Sequence, residues 1–217
     1  MKYKCLVLDH DDTVVDSTAS IHYPSLVEFC KIYRPDYHVT LEEYMVLNFE
    51  PGIYEYLKDI LQLSDEEFDL ENEFWNDYVI KHIPHAFKGI KEILEEFKAR
   101  GGYICVSSHS YKENILRDYK ANDLPIPDLI YGWELPQEKR KPATYTLEAI
   151  MKELNLKPDE LVMVDDLKPG KVMADNAGVD FIGAGWAYDV KAITDYMSKE
   201  CRLYCKTVEE FKKLILD

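Results

Sequence analysis

LVLDHDDTVVDS, residues Leu6–Ser17, is an apolar run that breaks into a cluster of acids. Extended back to Tyr3, it predicts a strand over Tyr3–Asp9 (YKCLVLD). Asp9 and Asp11 stand two apart where that strand ends. If the extended backbone persists to Asp11, the two-residue period sends both carboxylates to the same side. The carboxyl ends of strands are where open α/β sheets place their ligands. Taken alone, the segment is also readable as an acidic turn that caps a strand.

Working outward, short apolar runs recur at Tyr103–Ser107, Asp128–Trp133, Leu161–Val164 and Phe181–Ala184, separated by helical patterns. Near-continuous apolar strands alternating with helices predict an α/β fold whose mainly parallel sheet is covered on both faces. A helix is expected over Ile90–Arg100, with Ile90, Ile93, Leu94 and Phe97 on one face and Gly101-Gly102 ending it. Another is expected over Pro142–Leu154, with Leu147, Ile150 and Leu154 as its stripe. Between the first two strands, Ser17–Pro84 shows no strand pattern and far exceeds a simple crossover. Helices are expected there at Ser20–Tyr33, Leu41–Leu47, Ile53–Leu61 and Asp65–Ile80. Thr40 with Glu43, and Ser64 with Glu67, form capping boxes. The organisation expected is a core of residues 1–16 and 85–217 with a helical domain, 17–84, inserted after the first strand.

Composition narrows the function. Twenty-six basic against forty-one acidic residues give a net charge of −15 over 217 residues, with 47% apolar content. The chain is therefore globular rather than disordered. Its acidity argues against duplex DNA or an anionic membrane as partner. It does not forbid a small phosphate ligand, because the Debye length is only about 8 Å and local cations outweigh the distant field. No apolar run is long enough to span a bilayer, and MKYKCLVLDHDD sets charges inside its short apolar stretch, unlike a signal peptide. Of five cysteines, Cys5, Cys30 and Cys105 lie in apolar runs, and Cys201 and Cys205 lack a second Cys/His pair to complete a zinc site. The expectation is a cytoplasmic protein, a monomer by default.

Four segments together resemble the haloacid dehalogenase-like hydrolase superfamily, in its branch with a helical cap inserted after the first strand. The first motif, a strand followed by DxDx[TV], is similar to Asp9-His10-Asp11-Asp12-Thr13. The second, a strand ending in Thr or Ser, is similar to Ile104-Cys105-Val106-Ser107. The third, Lys followed by Pro and opening a helix, is similar to Lys141-Pro142, and the fourth, a strand ending in paired acids, to Val162-Met163-Val164-Asp165-Asp166. Each is weak alone, but the ordered set spans nearly the whole chain. The resemblance implies a Rossmann-like three-layer core, an all-helical cap and magnesium-dependent hydrolysis of a small phosphorylated metabolite.

The implied roles make chemical sense. Phosphate monoesters hydrolyse so slowly uncatalysed that enzymes accelerate them by up to about 10²¹-fold. A carboxylate nucleophile, here Asp9, can divide the reaction into formation and hydrolysis of an aspartyl phosphate. Asp11 is placed to protonate the leaving oxygen and later deprotonate water. Two anions must meet, so a hard cation is needed: Asp9, Asp165, Asp166 and the Asp11 backbone carbonyl are the expected magnesium ligands. Ser107 and Ser108 are expected to donate to the phosphoryl group. Lys141 is expected to neutralise it, Pro142 marking this lysine out from Lys139 and Arg140. Substrate contacts from the cap are expected from Asn48 and Glu50.

Some positions depart from the family pattern. Asp12 stands where Gly is usual, and Gly170 where another acid commonly follows Asp166. The paired acids are similar to those of some sugar phosphatases and of β-phosphoglucomutase, which keeps a phosphosugar mutase as an alternative. Against it, the cap loop Leu47–Ile53 (LNFEPGI) contains no basic residue for a second phosphate. A catalytically silent binding protein on the same fold is the other alternative, opposed by the presence of every residue the mechanism needs. His10 and His109 flank the site without an evident partner and are assigned no catalytic role. Trp186 and the aromatics of the insert are read as packing.

Overall fold

The computed structural model describes residues 2–217. In chain order these form β1 (Cys5–Leu8), β2 (Val15–Asp16), α1 (Tyr23–Tyr33), α2 (Leu41–Phe49), α3 (Ile53–Glu55), α4 (Asp65–Lys81), β3 (His85–Ala86) and α5 (Ile90–Ala99). There follow β4 (Tyr103–Ser107), α6 (Lys112–Ala121), β5 (Leu129–Tyr131), α7 (Tyr145–Leu154), β6 (Leu161–Asp165), α8 (Lys168–Ala177), β7 (Asp180–Ala184), α9 (Lys191–Glu200), β8 (Leu203–Cys205) and α10 (Val208–Leu216). The chain divides into two compact units, Met1–Asp16 with His85–Asp217, and Ser17–Pro84.

The first unit is built on a six-stranded sheet in the order β5-β4-β1-β6-β7-β8, every pairing parallel. β1 lies between β4 and β6, with Leu6 opposite Ile104 on one side and Val162 on the other. All four residues of β1 and all five of β6 are buried, as strands covered on both faces must be. One core cluster joins Leu6, Ile104 and Val162 of the sheet to Leu94 and Phe97 of α5, Ile115 of α6 and Phe211 of α10. Each such side chain contributes about 1.5–3 kcal/mol by leaving water. No helix among the described residues is long and apolar enough to cross a membrane.

Several boundaries differ from the expectations. β1 is shorter than Tyr3–Asp9, although Asp9 N–H still donates to Val164 O at 2.8 Å, so ladder geometry carries on to the acid. The helix expected from Pro142 starts at Tyr145, because Ala143 N–H closes a turn onto Arg140 O at 2.8 Å. Lys141 therefore lies within a turn that precedes the helix rather than opening the helix itself. β8 and α10 were not foreseen. The strand is only three residues long, but Thr207 and Glu210 form a capping box before the Phe211, Ile215 and Leu216 stripe.

The second unit is helical throughout its described elements. Two of the expected helices change pitch: wide turns of π type occupy Thr18–His22 before α1 and Tyr56–Ile60 after α3. Both expected capping boxes form, with Glu43 N–H on Thr40 Oγ1 and Glu67 N–H on Ser64 Oγ, each at 3.2 Å. Leu26, Phe29, Tyr44, Tyr56 and Leu57 make its core, and Tyr33, more than a third exposed, packs its ring on Phe29 with centroids 4.7 Å apart. Glu71 of α4 is buried among these elements, and burial pushes its carboxyl up to about 7.

β2 and β3 pair antiparallel as a two-residue ribbon, Val15 opposite Ala86 and Asp16 opposite His85. The chain leaves the first unit and re-enters it at these adjacent positions.

Candidate active site

The carboxyl ends of β1, β4 and β6 gather the acids and the lysine. After β1 the chain folds back at once: His10 O accepts from Val14 N–H at 2.9 Å and Val15 N–H at 3.1 Å. This tight loop puts Asp12 at φ +53°, the left-handed region that the usual Gly adopts freely. Asp is among the residues that tolerate it. After β6, Leu167 N–H donates to Asp165 Oδ1 at 2.8 Å and fixes that carboxylate.

Lys141 Nζ sits 2.9 Å from Asp9 Oδ1 and 2.6 Å from Asp165 Oδ2. The three side chains are 5%, 8% and 0% exposed, so this is a buried ion cluster and not a surface pair. Ligand oxygens of Asp9, Asp165 and Asp166 all lie within 4.8 Å of one another. Burial first, then the charge of Asp9, raises the Asp165 carboxyl above the usual range, with Lys141 opposing. Asp166 is raised by burial and by Asp165, Asp9 and Asp12. Burial alone would lower the Lys141 ammonium, but the attraction of Asp165 and Asp9 outweighs it and holds the group above its ordinary value.

Charge arithmetic tests whether these residues suit a metal. With all three acids ionised, one ammonium would leave a surplus of two negative charges in a buried site, which is strongly unfavourable and is why Asp165 and Asp166 are pushed towards their protonated forms. A divalent cation removes that surplus, and an all-oxygen donor set suits magnesium rather than a soft metal. The residues fit the group.

The other expected residues fall into distinct places. Asp11 Oδ2 accepts from Ser110 Oγ at 2.7 Å. Ser107 Oγ is 2.9 Å from Thr146 Oγ1, which in turn donates to Met173 Sδ at 3.3 Å. Either hydroxyl of the Ser107–Thr146 pair can be the donor. Ser108 Oγ accepts from Ser110 N–H at 3.1 Å. Of the basic run, only Lys141 enters the cluster: Lys139 lies over the Tyr145 ring at 4.6 Å and Arg140 over the Trp133 ring at 3.8 Å. Asn48 and Glu50 belong to the helical unit, where the Asn48 amide donates to Tyr44 O at 2.8 Å.

The two histidines are not partnerless. His10 Nε2 pairs with Asp118 Oδ2 at 3.1 Å, both side chains buried, and Arg117 holds the other Asp118 oxygen at 2.7 Å. Asp118 lies more than a hundred residues away on α6, beyond the reach of any local pattern. His109 Nε2 donates to Lys141 O at 3.3 Å. Burial, then the Lys141 charge, pushes its imidazole down to about 3, so it is neutral. Trp186 packs on Phe211 with centroids 5.4 Å apart, and its Nε1 also donates to Thr13 O at 3.1 Å. Sequence reasoning missed Tyr188, whose hydroxyl donates to Asp166 Oδ2 at 2.6 Å. It also missed Ser110, the partner of Asp11, although it stands only three residues past Ser107.

Gly170 of α8 explains one departure from the family pattern. A Cβ there would lie 2.2 Å from Asp165 Oδ2 and 2.4 Å from its Cγ.

Known proteins share this architecture. A structure from Haemophilus somnus 129pt, described as a predicted phosphoglycolate phosphatase, superposes with a TM-score of 0.77 at 18% identity, covering 99% of this chain and 98% of that one. CbbY from Rhodobacter sphaeroides, solved in complex with phosphate, superposes with a TM-score of 0.75 at 19% identity, covering 96% of each chain. At such identities the likeness is one of fold. Among curated proteins, a phosphoglycolate phosphatase of Vibrio vulnificus (strain CMCP6) is 25% identical over 134 residues. That match takes in 59% of this chain and 58% of the relative's length. The profile of haloacid dehalogenase-like hydrolases matches residues 6–184, which include every acid of the cluster and its lysine, and the chain belongs to that family.

Proposed function

We propose that the protein is a magnesium-dependent phosphatase that hydrolyses a small phosphorylated metabolite through an aspartyl phosphate. The observation that carries this reading is the Lys141 ammonium held between Asp9 and Asp165, with Asp166 completing a buried set of three carboxylates. A protein with no anionic ligand and no cation would gain little from so much buried charge.

Asp9, Asp165 and Asp166 would hold the magnesium ion, with the Asp11 backbone carbonyl as the further ligand that the resemblance implies. When bound, the ion supplies positive charge against the anionic phosphoryl group. Asp9 attacks phosphorus as the bond to the leaving oxygen breaks, and Asp11 gives that oxygen its proton. Asp11 then takes a proton from water, which attacks the aspartyl phosphate, freeing inorganic phosphate and restoring Asp9. Lys141 balances the charge of the transferred group. Ser107 and Ser108 would donate to the phosphoryl oxygens, Ser108 from a hydroxyl whose oxygen accepts from Ser110 N–H and Ser107 from one that also meets Thr146 Oγ1. The helical unit, residues 17–84, is the counterpart of the family's cap and the source of substrate choice, with Asn48 and Glu50 as its candidate contacts.

Magnesium-dependent release of a chromogenic alcohol from its phosphate ester, with Asp9→Asn as control, tests the activity. Equal turnover by that variant overturns the nucleophile. A panel of phosphorylated metabolites then addresses the substrate, and the name of the Vibrio relative puts phosphoglycolate first in it.

A further inference from the structure

We propose that Tyr188 is a positioning residue for the metal-binding carboxylate of Asp166, tying down one oxygen so that the other is presented to the cation. This rests on the metal reading above and adds a residue to it. The Tyr188 hydroxyl donates to Asp166 Oδ2 at 2.6 Å, within the short range of charge-assisted O–H···O bonds. The other oxygen, Oδ1, has Thr13 Oγ1 at 3.4 Å, too long for a firm bond between hydroxyl and carboxylate. The carboxylate is thus held firmly on one side, by Tyr188, and only weakly on the other, by Thr13.

The segment carrying Tyr188 is anchored independently of its hydroxyl. It leaves β7, the neighbour of β6, and therefore runs beside Asp166. Gly185 N–H donates to Cys205 O at 2.8 Å, and Trp186 Nε1 donates to Thr13 O at 3.1 Å. A Cβ at Gly185 would lie 2.3 Å from the Tyr204 ring, so the backbone passes that ring at a distance only Gly allows. With the backbone fixed by these three contacts, removing the Tyr188 hydroxyl leaves the ring in place and frees Asp166 to rotate. Outer partners of metal ligands act in this way, and losing one typically costs about ten- to a hundredfold in metal affinity.

The test is calorimetric titration of magnesium into wild type, Tyr188→Phe and Tyr188→Leu, with melting temperatures recorded without metal. The expected result is magnesium binding about ten- to a hundredfold weaker in Tyr188→Phe, at a metal-free melting temperature close to that of wild type. Its shortfall in kcat should close as magnesium is raised, with KM for the phosphate ester little changed. Tyr188→Leu should weaken binding as much as Tyr188→Phe. Normal affinity in Tyr188→Phe overturns the proposal, whether or not Tyr188→Leu is impaired, because the ring and not the hydroxyl would then matter. Failure of wild type itself to bind magnesium removes the metal reading, an outcome distinct from a defect confined to the variants.

Discussion

Gly170 and Asp165 share one space: the carboxylate of Asp165 fills the volume that a side chain at 170 would need, with Oδ2 2.2 Å from the ideal Cβ position. Asp165 cannot withdraw, since Lys141 Nζ and Leu167 N–H hold its two oxygens. In this chain the paired acids and the glycine are therefore one device, and an acid at 170 excludes the observed place of Asp165.

The first prediction follows from that contact. Ala favours a helix over Gly by about 1 kcal/mol, so Gly170→Ala would stabilise α8 if space allowed. Overpacking costs about 1–3 kcal/mol, and here the obstacle is a pinned carboxylate. Gly170→Ala should lower the urea midpoint and reduce kcat/KM by displacing Asp165 from Lys141. A raised midpoint would show that Asp165 is free to move.

Asp9→Asn and Asp11→Asn should fail differently. The first should abolish turnover and weaken magnesium binding, since an amide is a poor nucleophile and a poorer ligand. The second keeps its backbone carbonyl, so magnesium affinity should survive while turnover falls by about 10²–10⁴. The loss should be smaller on an aryl than on an alkyl phosphate, because a good leaving group needs little protonation. Full activity of Asp11→Asn on the alkyl ester would refute its acid/base role.

Lys141→Met removes the ammonium shared by two buried carboxylates. Breaking a buried pair typically costs about 3–5 kcal/mol, which should appear as a lower denaturation midpoint in chelator. Saturating magnesium should recover part of it, because the cation replaces the missing charge. Activity should still fall by about 10²–10³, the usual loss of one transition-state donor. An unchanged midpoint in chelator would mean that the carboxylates are not charged together.

Glu71 gives the protein a pH-dependent stability unrelated to catalysis. Its carboxyl titrates near 7 when folded, against 4.5 in an exposed chain. Between these values the folded state binds more protons than the unfolded one, so stability falls as pH rises and levels off above about 7. At 1.36 kcal/mol per unit, the full penalty is on the order of 3 kcal/mol. Glu71→Gln should therefore match wild type near pH 4 and exceed it at pH 8, in paired urea titrations. An equal difference at both values would exclude titration of Glu71 as the cause.

Local signals made much of the fold legible. Apolar runs marked β1, β4 and β6 because these strands are buried on both faces, and the Thr40 and Ser64 capping boxes marked two helix starts. β8 escaped notice because three residues show no period. At the site, the inward turn of Lys141 was readable only from the proline beside it, whereas Arg140 and Lys139 turn to the rings of Trp133 and Tyr145, a pairing that no periodic pattern marks. The pairing of His10 with Asp118, and of Tyr188 with Asp166, depends on which strands are neighbours. Nothing in the flanking residues encodes that.

The ribbon of Asp16 with His85 bears on how freely the length of the chain can change. Because the two ends of the insert are clamped side by side by the first unit, closing the loop between them is a cost that hardly grows with what lies inside. Doubling the length of a flexible loop adds only about 0.6 kcal/mol. Sixty-eight residues, Ser17–Pro84, can thus be shortened, lengthened or exchanged for another self-folding module while every register in the six-stranded sheet stays as it is. The same clamp marks where a minimal version of the first unit should be spliced: a short turn joining Asp16 directly to His85.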